Sequence, residues 1–184
     1  GALSMTLIPD LSSALSTQNY TDINTRINFS MKFALFVAFL FAPVFYALGS
    51  PIGEFLYSNT QSGVFLTYAS PLVIPICVTG ITTSCLNALN LEVKSFRNYL
   101  ISSVFLFFSI IFLTKSLGIL SLVWGMGASL VMAIILNIRL LNKKLNSNFF
   151  NFSYLLKLFA CSIPAVLISK FTYSLLSKFL PLFF

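Results

Sequence analysis

The chain has 184 residues, of which 58% are hydrophobic and 8% are charged, with eleven Lys and Arg against four Asp and Glu. Soluble domains average about 45–50% apolar and about 25% charged residues, so this composition excludes an ordinary soluble domain. The net charge of +7 comes from basic residues spread thinly along the chain, which argues against a nucleic-acid partner.

Long uncharged stretches predict repeated membrane crossings. Residues 33–53, 55–91, 98–114 and 116–138 contain no charged side chain. A helix needs about 20 apolar residues to cross the hydrocarbon core of a bilayer, and a charge near the bilayer centre is costly. The predicted fold class is therefore all-α, a polytopic transmembrane helical bundle with the bilayer as its solvent.

The N-terminal third predicts the end of one crossing and then a complete one. Residues 1–8 are apolar and follow no charged leader, so we expect the tail of a spanning helix in a fragment of a longer protein. Residues 27–48 predict the first complete crossing, and Asp22 and Arg26 before it have the i, i+4 spacing that favours pairing on a helix. Residues 50–60 begin with Ser-Pro and predict a short interfacial helix.

Four further crossings follow. Residues 63–90 predict a bent helix, because Pro and Gly residues interrupt it and such breaks are tolerated where neighbouring groups satisfy the freed backbone. Residues 98–114 and 118–141 predict the third and fourth crossings, joined by a tight link at 115–117. Residues 152–176 predict a fifth, whose two lysines would snorkel to opposite interfaces.

The basic residues predict an orientation, because cytoplasmic loops carry an excess of Lys and Arg. If residues 10–26 are cytoplasmic, that side holds eight of the eleven basic residues and the other side holds three. The cytoplasmic set is Arg26, Lys32, Lys94, Arg97, Arg139, Lys143, Lys144 and Lys157; the external set is Lys115, Lys170 and Lys178.

The chain offers no convincing catalytic set. It has no His, and its three Cys lie in apolar stretches without the paired spacing of a metal site. It also lacks a Walker-type phosphate loop. We therefore expect a protein that is not an enzyme and has no catalytic residues, no cofactor and no metal. Its four acids all fall at predicted helix ends or in loops: Asp10, Asp22, Glu54 and Glu92.

A polar face on the second crossing supplies the candidate site. Thr79, Thr83, Asn87 and Asn90 follow helical spacing and would line one face toward the cytoplasmic end. Broken helices with polar faces line transporter cavities, while Ser, Thr and Asn also form interhelical hydrogen bonds worth about 1 kcal/mol each. Arg26 is a further candidate, either facing an anionic headgroup at the cytoplasmic mouth or serving as a topology anchor.

Three stretches resemble a known family. Residues 1–12, continuing through 20–32, and residues 81–90, continuing through 94–98, are similar to the polysaccharide-exporter branch of the multidrug/oligosaccharidyl-lipid/polysaccharide flippase superfamily, and most similar to its stage V sporulation protein B group. Residues 50–57 also fit an external segment of that family. The sequence departs from the family pattern in two ways. Residues 87–90 stand where the family has a more Gly-rich stretch before the loop, and a fourteenth helix is absent.

The resemblance implies the C-terminal lobe of a MATE-like two-lobed transporter with a central cavity that alternates between membrane faces. Residues 1–142 would be a partial lobe, made of the end of one helix and four transmembrane helices, and residues 143–184 an appended transmembrane helix and a truncated C-terminus. The implied partners are a lipid-linked saccharide and an N-terminal lobe of the same protein. The implied role is translocation of that lipid or of a peptidoglycan precursor across the plasma membrane, with spore cortex synthesis as one setting.

Two alternatives stay open. A cation-coupled multidrug antiporter of the MATE type would share the fold, although this segment has no carboxylate inside a predicted crossing. A non-transporting membrane scaffold for cell-wall synthesis would share the fold without needing a cavity.

The orientation can be tested by labelling in whole cells. Single cysteines introduced at Ser58 and at Ser147 should behave differently toward a membrane-impermeant thiol reagent, because the charge bias places the first outside and the second inside. We expect modification at position 58 and protection at position 147. The reverse pattern would overturn the orientation.

Overall fold

The computed structural model describes residues 20–145 together with residues 164, 166–168 and 171. The predicted helix tail at 1–8 and most of the predicted fifth crossing at 152–176 lie outside the described residues. Within 20–145 the chain forms five α-helices: α1 Tyr20–Tyr57, α2 Thr60–Ala69, α3 Val73–Ala88, α4 Glu92–Leu117 and α5 Leu120–Leu145.

The second predicted crossing is interrupted where the sequence predicts a bend. A 3₁₀ turn, Ser70–Leu72, separates α2 from α3, and Pro71 lies inside it. Such turns within a helical span mark hinges or strained backbone. The span from Thr60 to Ala88 remains long and apolar enough to cross a membrane, as do α1, α4 and α5. The prediction of an all-α polytopic bundle is therefore confirmed over this part of the chain.

The separate interfacial helix predicted at 50–60 is wrong. α1 is continuous for 38 residues and contains both Pro43 and Pro51. At about 1.5 Å per residue it is roughly 57 Å long, well beyond the ~30 Å hydrocarbon core. The second half of α1 packs on α2, where the Ser62 hydroxyl donates to the Gly53 carbonyl oxygen at 3.0 Å. Because α2 packs against it, α1 continues as a helix past Ser50 and Pro51, the residues from which its end was predicted.

Short connections make successive spans antiparallel. Residues 58–59, 89–91 and 118–119 link them, and connections this short join neighbouring antiparallel helices. The last link is not at 115–117, as predicted, since α4 continues to Leu117 and the turn is made by Gly118 with a φ of +54°. Glu92 is the first residue of α4, at one of the helix ends where acids were predicted, and its carboxylate complements the helix dipole there.

Charged residues collect at one end of the bundle. Alternating spans bring the start of α1, the start of α4 and the end of α5 together, and we name this the basic end. In the described part of the chain it holds seven of the eight Lys and Arg, and only Lys115 lies at the opposite end. The seven are Arg26, Lys32, Lys94, Arg97, Arg139, Lys143 and Lys144.

The apolar core lies between α1, α3 and α5. Residues on α1 recur every three or four positions with 0–7% exposure, as a helix buried along one stripe requires. α4 stays outside this core, and its large apolar side chains are largely exposed, as suits a helix that faces lipid. The α1 stripe comprises Ile23, Ile27, Met31, Ala34, Leu35 and Phe39, packed against Ile81, Cys85 and Leu86 of α3 and Leu141 of α5.

A glycine contact joins α1 to α2. A Cβ added at Gly49 would lie 2.8 Å from the Thr67 nitrogen, and one added at Gly53 would overlap the backbone of Gly63. A Cβ at Gly63 would in turn lie 2.6 Å from the Ser50 carbonyl oxygen. The two backbones therefore touch directly, and Gly49 and Gly53 have the small-xxx-small spacing that permits such contact between membrane helices. We name Gly49, Gly53 and Gly63 the glycine contact.

Gly53→Ala should destabilise the protein by about 1–3 kcal/mol, the usual cost of overpacking, because backbone atoms of α2 cannot move aside as a side chain can. The matched control is Gly127→Ala, whose new Cβ would meet only the end of the Leu72 side chain, at 3.3 Å. Unfolding of both variants in detergent micelles titrated with sodium dodecyl sulfate, followed by circular dichroism, measures the difference. Equal stabilities would contradict the close contact.

Candidate functional site

A polar cavity of about 290 Å³ lies between α3, α4 and α5 near the basic end. Three of the five candidates predicted from sequence line it, all from α3: Thr79, Thr83 and Asn87. Their spacing of four residues places them on one helix face, as predicted. We name this space the polar cavity; its other lining residues are Glu92, Ser95, Phe96 and Tyr99 from α4 and Ala133 and Asn137 from α5.

Asn137 holds the three helices together beside the cavity. Its Oδ1 accepts a hydrogen bond from Asn98 Nδ2 at 3.1 Å, which joins α5 to α4. Its Nδ2 donates to Thr83 Oγ1 at 3.4 Å and to Thr82 Oγ1 at 3.5 Å, which joins α5 to α3. Asn137 is 2% exposed and Asn98 is 6% exposed, so water cannot replace these bonds.

The surrounding hydroxyls are satisfied by backbone carbonyl groups. The buried Thr82 hydroxyl lies 3.0 Å from the Val78 carbonyl oxygen one turn earlier on α3. The Ser102 hydroxyl donates to the carbonyl oxygen of Asn98 at 2.7 Å. Both bonds keep polar side chains of the bundle paired inside apolar surroundings, as a membrane protein requires.

Thr79 is the exception. Among the described residues its Oγ1 is the one buried side-chain oxygen or nitrogen without a hydrogen-bond partner. Thr79 lines the polar cavity, but its Oγ1 has almost no surface open to a water-sized probe, so an occupant would reach this oxygen only after a small shift of the lining. A buried polar group left unpaired costs about 1–3 kcal/mol, so a hydrogen-bonding occupant would be favoured there.

Asn90 does not line the cavity and instead ends α3. Its φ of +57° is left-handed, a conformation that Asn tolerates better than most residues. The Leu91 amide donates to the Leu86 carbonyl oxygen at 2.9 Å, and the Asn90 amide donates to that of Asn87 at 3.0 Å. These are the two bonds of a Schellman motif, with Asn90 at the residue that is usually Gly.

Arg26 also lies apart from the cavity lining. Its Nε donates to Asp22 Oδ2 at 3.0 Å, which confirms the i, i+4 pair predicted from sequence. Both side chains are well exposed, so the ion pair contributes only about 0.3–0.5 kcal/mol. Arg26 therefore lies at the basic end, on α1, and is not part of the polar cavity, which α3, α4 and α5 line.

The lining is suited to hydrogen bonding more than to acid–base chemistry. Within the described residues Glu92 is its only charged side chain, and no group of three His, Cys, Asp or Glu in that part of the chain can hold a metal ion. Hydroxyl and amide groups supply both donors and acceptors, and Phe96 and Tyr99 add aromatic surface.

Sequence reasoning missed the two asparagines that organise the site. Asn137 is the one polar side chain in the apolar run 130–138, and an amide inside a predicted crossing is a signal for an interhelical hydrogen bond. Asn98 is the first residue of the predicted third crossing, a position that predicts a residue at the membrane interface. Their pairing across 39 positions has no local pattern that predicts it.

The fold and the site together define a polytopic α-helical membrane protein with a polar cavity at one end of its bundle. Comparison with known proteins adds no further likeness: no family model, no curated protein and no solved structure matches the chain.

Asn98 and Asn137 should be energetically coupled. In a double-mutant cycle of Asn98→Ala and Asn137→Ala we expect a coupling of about 0.6–1.7 kcal/mol, the range of interhelical hydrogen bonds in membrane proteins. Unfolding in mixed micelles measures it. The control cycle pairs Asn137→Ala with Thr114→Ala, which lies roughly 24 Å further along α4 than Asn98 and should be additive. Coupling of the same size in both cycles would contradict a direct bond.

Proposed function

We propose that this chain is part of a flippase-type membrane transporter, and that the polar cavity receives the headgroup of a lipid-linked saccharide or peptidoglycan precursor. The observation that carries the proposal is the buried, unpaired Thr79 hydroxyl on the wall of the polar cavity near the basic end. A purely structural polar cluster would satisfy its own hydrogen bonds, as Asn137 and its partners do. An unpaired hydroxyl beside them fits a cavity that binds a ligand.

The chemistry of the lining supports a hydroxyl-rich ligand. Asn87 presents a neutral donor and acceptor, the Thr83 hydroxyl can still donate, and Tyr99 offers an aromatic face. Glu92 supplies one carboxylate, an acceptor for ligand hydroxyls. A sugar ring has the matching features, namely several hydroxyl groups and an apolar face.

The position of the cavity supports an anionic lipid headgroup. Lys94 and Arg97 flank the lining residues Ser95 and Phe96 on α4, and Arg139 follows Asn137 on α5. Basic residues at a membrane interface attract phosphate-bearing headgroups at about 1 kcal/mol each. With the predicted orientation, the polar cavity would load from the cytoplasmic side of the plasma membrane.

The interrupted second span supports movement. Breaks in a transmembrane helix next to a binding site are typical of transporters, in which one part of the bundle shifts against another. Here the 3₁₀ turn Ser70–Leu72 divides α2, held to α1 by the glycine contact, from α3, which carries the cavity residues. In the proposed mechanism, this turn is where α3 would change its angle relative to α2.

Thr79→Val should weaken transport and raise stability by up to about 1–3 kcal/mol, because it removes a buried hydroxyl that has no partner within the described residues. In vesicles containing the full protein and a fluorescent lipid-linked saccharide, accessibility to dithionite measures translocation. We expect the half-saturating lipid concentration to rise roughly 2- to 10-fold, the equivalent of one net hydrogen bond of about 0.5–1.5 kcal/mol.

The matched control is Thr82→Val, the same substitution three residues along α3. The Thr82 hydroxyl is bonded to Val78 and Asn137 and does not line the cavity, so we expect lower stability and unchanged half-saturation for the folded fraction. No translocation by the unaltered protein would favour the scaffold. Cation-dependent export of a drug without lipid movement would favour the antiporter.

A further inference from the structure

A second, apolar cleft lies toward the opposite end of the bundle from the polar cavity and shares no residue with it. Its volume is about 560 Å³, within the range of about 300–1,000 Å³ of pockets that hold small ligands. It lies between α5 and the region where α2 gives way to α3. We name it the apolar cleft; Leu72, Pro75, Leu120, Trp124, Gly127 and Val131 are among its lining residues.

The break in the second span and the small residues of α5 form this cleft. Pro71 and Pro75, on either side of Leu72, both line it. On α5 the facing residues include Gly127 and Ala128, which leave space that larger side chains would fill. Contact between the two walls is made at Leu72, whose Cδ2 would lie 3.3 Å from a Cβ at Gly127.

The cleft has the depth of one membrane leaflet. Its lining on α5 extends from Leu120, the first residue of that helix, to Val131. At about 1.5 Å per residue this distance is roughly 16 Å, about half of the ~30 Å hydrocarbon core. The cleft therefore runs from the interface at the opposite end to about the middle of the bilayer.

The lining is hydrocarbon apart from two amphipathic aromatic side chains. Tyr68 and Trp124 are 57% and 66% exposed and stand at the cleft, and residues of this type concentrate at membrane interfaces. No charged residue lines the cleft among the described residues. A polar ligand would find almost no hydrogen-bond partner here, whereas a hydrocarbon chain needs none.

The described C-terminal residues do not fill this space. Val166 lines a different cavity of about 140 Å³, together with Phe39 and Tyr46 of α1. The two cavities share Pro71, but Val166 stands against the α1 side of the break and not against α5. Among the described residues, none after Leu145 lines the apolar cleft.

We propose that the apolar cleft is a binding site for one hydrocarbon chain of a phospholipid in the leaflet at the opposite end. The inference rests on the length, lining and position of the cleft and does not require the polar cavity to bind a saccharide. A bound chain would fill the gap beside the 3₁₀ turn and contact α3 and α5 together.

Trp124 provides a direct test, because it is the only Trp of the 184 residues and lines the cleft. The full chain is purified in detergent micelles, so that bulk lipid is dilute, and titrated with phosphatidylcholine brominated along its acyl chains. We expect saturable quenching of Trp124 fluorescence by bromine, reversed by an excess of unbrominated phosphatidylcholine.

Val131→Phe should abolish the saturable quenching by filling the cleft from an exposed position, which limits damage to folding. Ala128→Phe is a second variant with the same expectation. The matched control is Val104→Phe on α4, an identical change at a position that is 46% exposed, compared with 50% for Val131, and lies outside the cleft. Its quenching should remain that of the unaltered chain.

Three results would overturn the proposal. One is quenching that rises without saturation in the unaltered chain, as expected for random contact with lipid. Another is saturable quenching that survives both Val131→Phe and Ala128→Phe. The third is a lack of quenching together with a Trp124 emission that shifts with protein concentration, which would assign the cleft to a second copy of the chain.

Discussion

The buried amide of Asn137 is the interaction on which the basic end of this bundle depends. In a bilayer, apolar side chains gain little from exchanging lipid for protein, so packing and polar contacts must set which helices meet. Asn137 bonds to Asn98 on α4 and to Thr82 and Thr83 on α3, and so aligns three helices at one level. The polar cavity lies beside this junction because the same faces of the helices that supply the bonds also supply its lining.

Backbone packing plays the corresponding part at the opposite end. Gly49 and Gly53 of α1 allow the backbone of α2 to approach directly, and Gly63 allows the reverse. Gly125 permits a close approach between α5 and α4 against a side chain instead of a backbone, since a Cβ there would lie 2.8 Å from the Ser109 Cβ. With both hairpins closed in this way, two of the spaces in the described bundle lie between the α1–α2 hairpin with α3 and the α4–α5 hairpin. They are the polar cavity, between α3, α4 and α5, and the apolar cleft, between α5 and the break of the second span.

Most of the helices, and part of the site, could be predicted from the sequence. Charges separate the apolar stretches, so the spans were predicted nearly in place, and the four-residue spacing identified Thr79, Thr83 and Asn87 as one face. Local rules failed where tertiary contacts overrode them: Pro51 predicted a new helix, yet packing on α2 carries α1 through it. Asn90 fitted the polar face by spacing, but its left-handed backbone assigns it to the end of α3.

The sequence by itself determined that the chain crosses a membrane several times and that its basic residues collect at one end. Both follow from the cost of placing charge in hydrocarbon, which acts on each segment separately and needs no knowledge of its neighbours. Only the tertiary structure decided which polar side chains form hydrogen bonds with each other and which buried hydroxyl has no partner among the described residues. Asn98 meets Asn137 across 39 positions, while Thr79, in the same kind of helix, remains unpaired within the described residues. Hydrogen bonds between helices depend on the rotation and depth of both partners, and these are set by packing over the whole bundle.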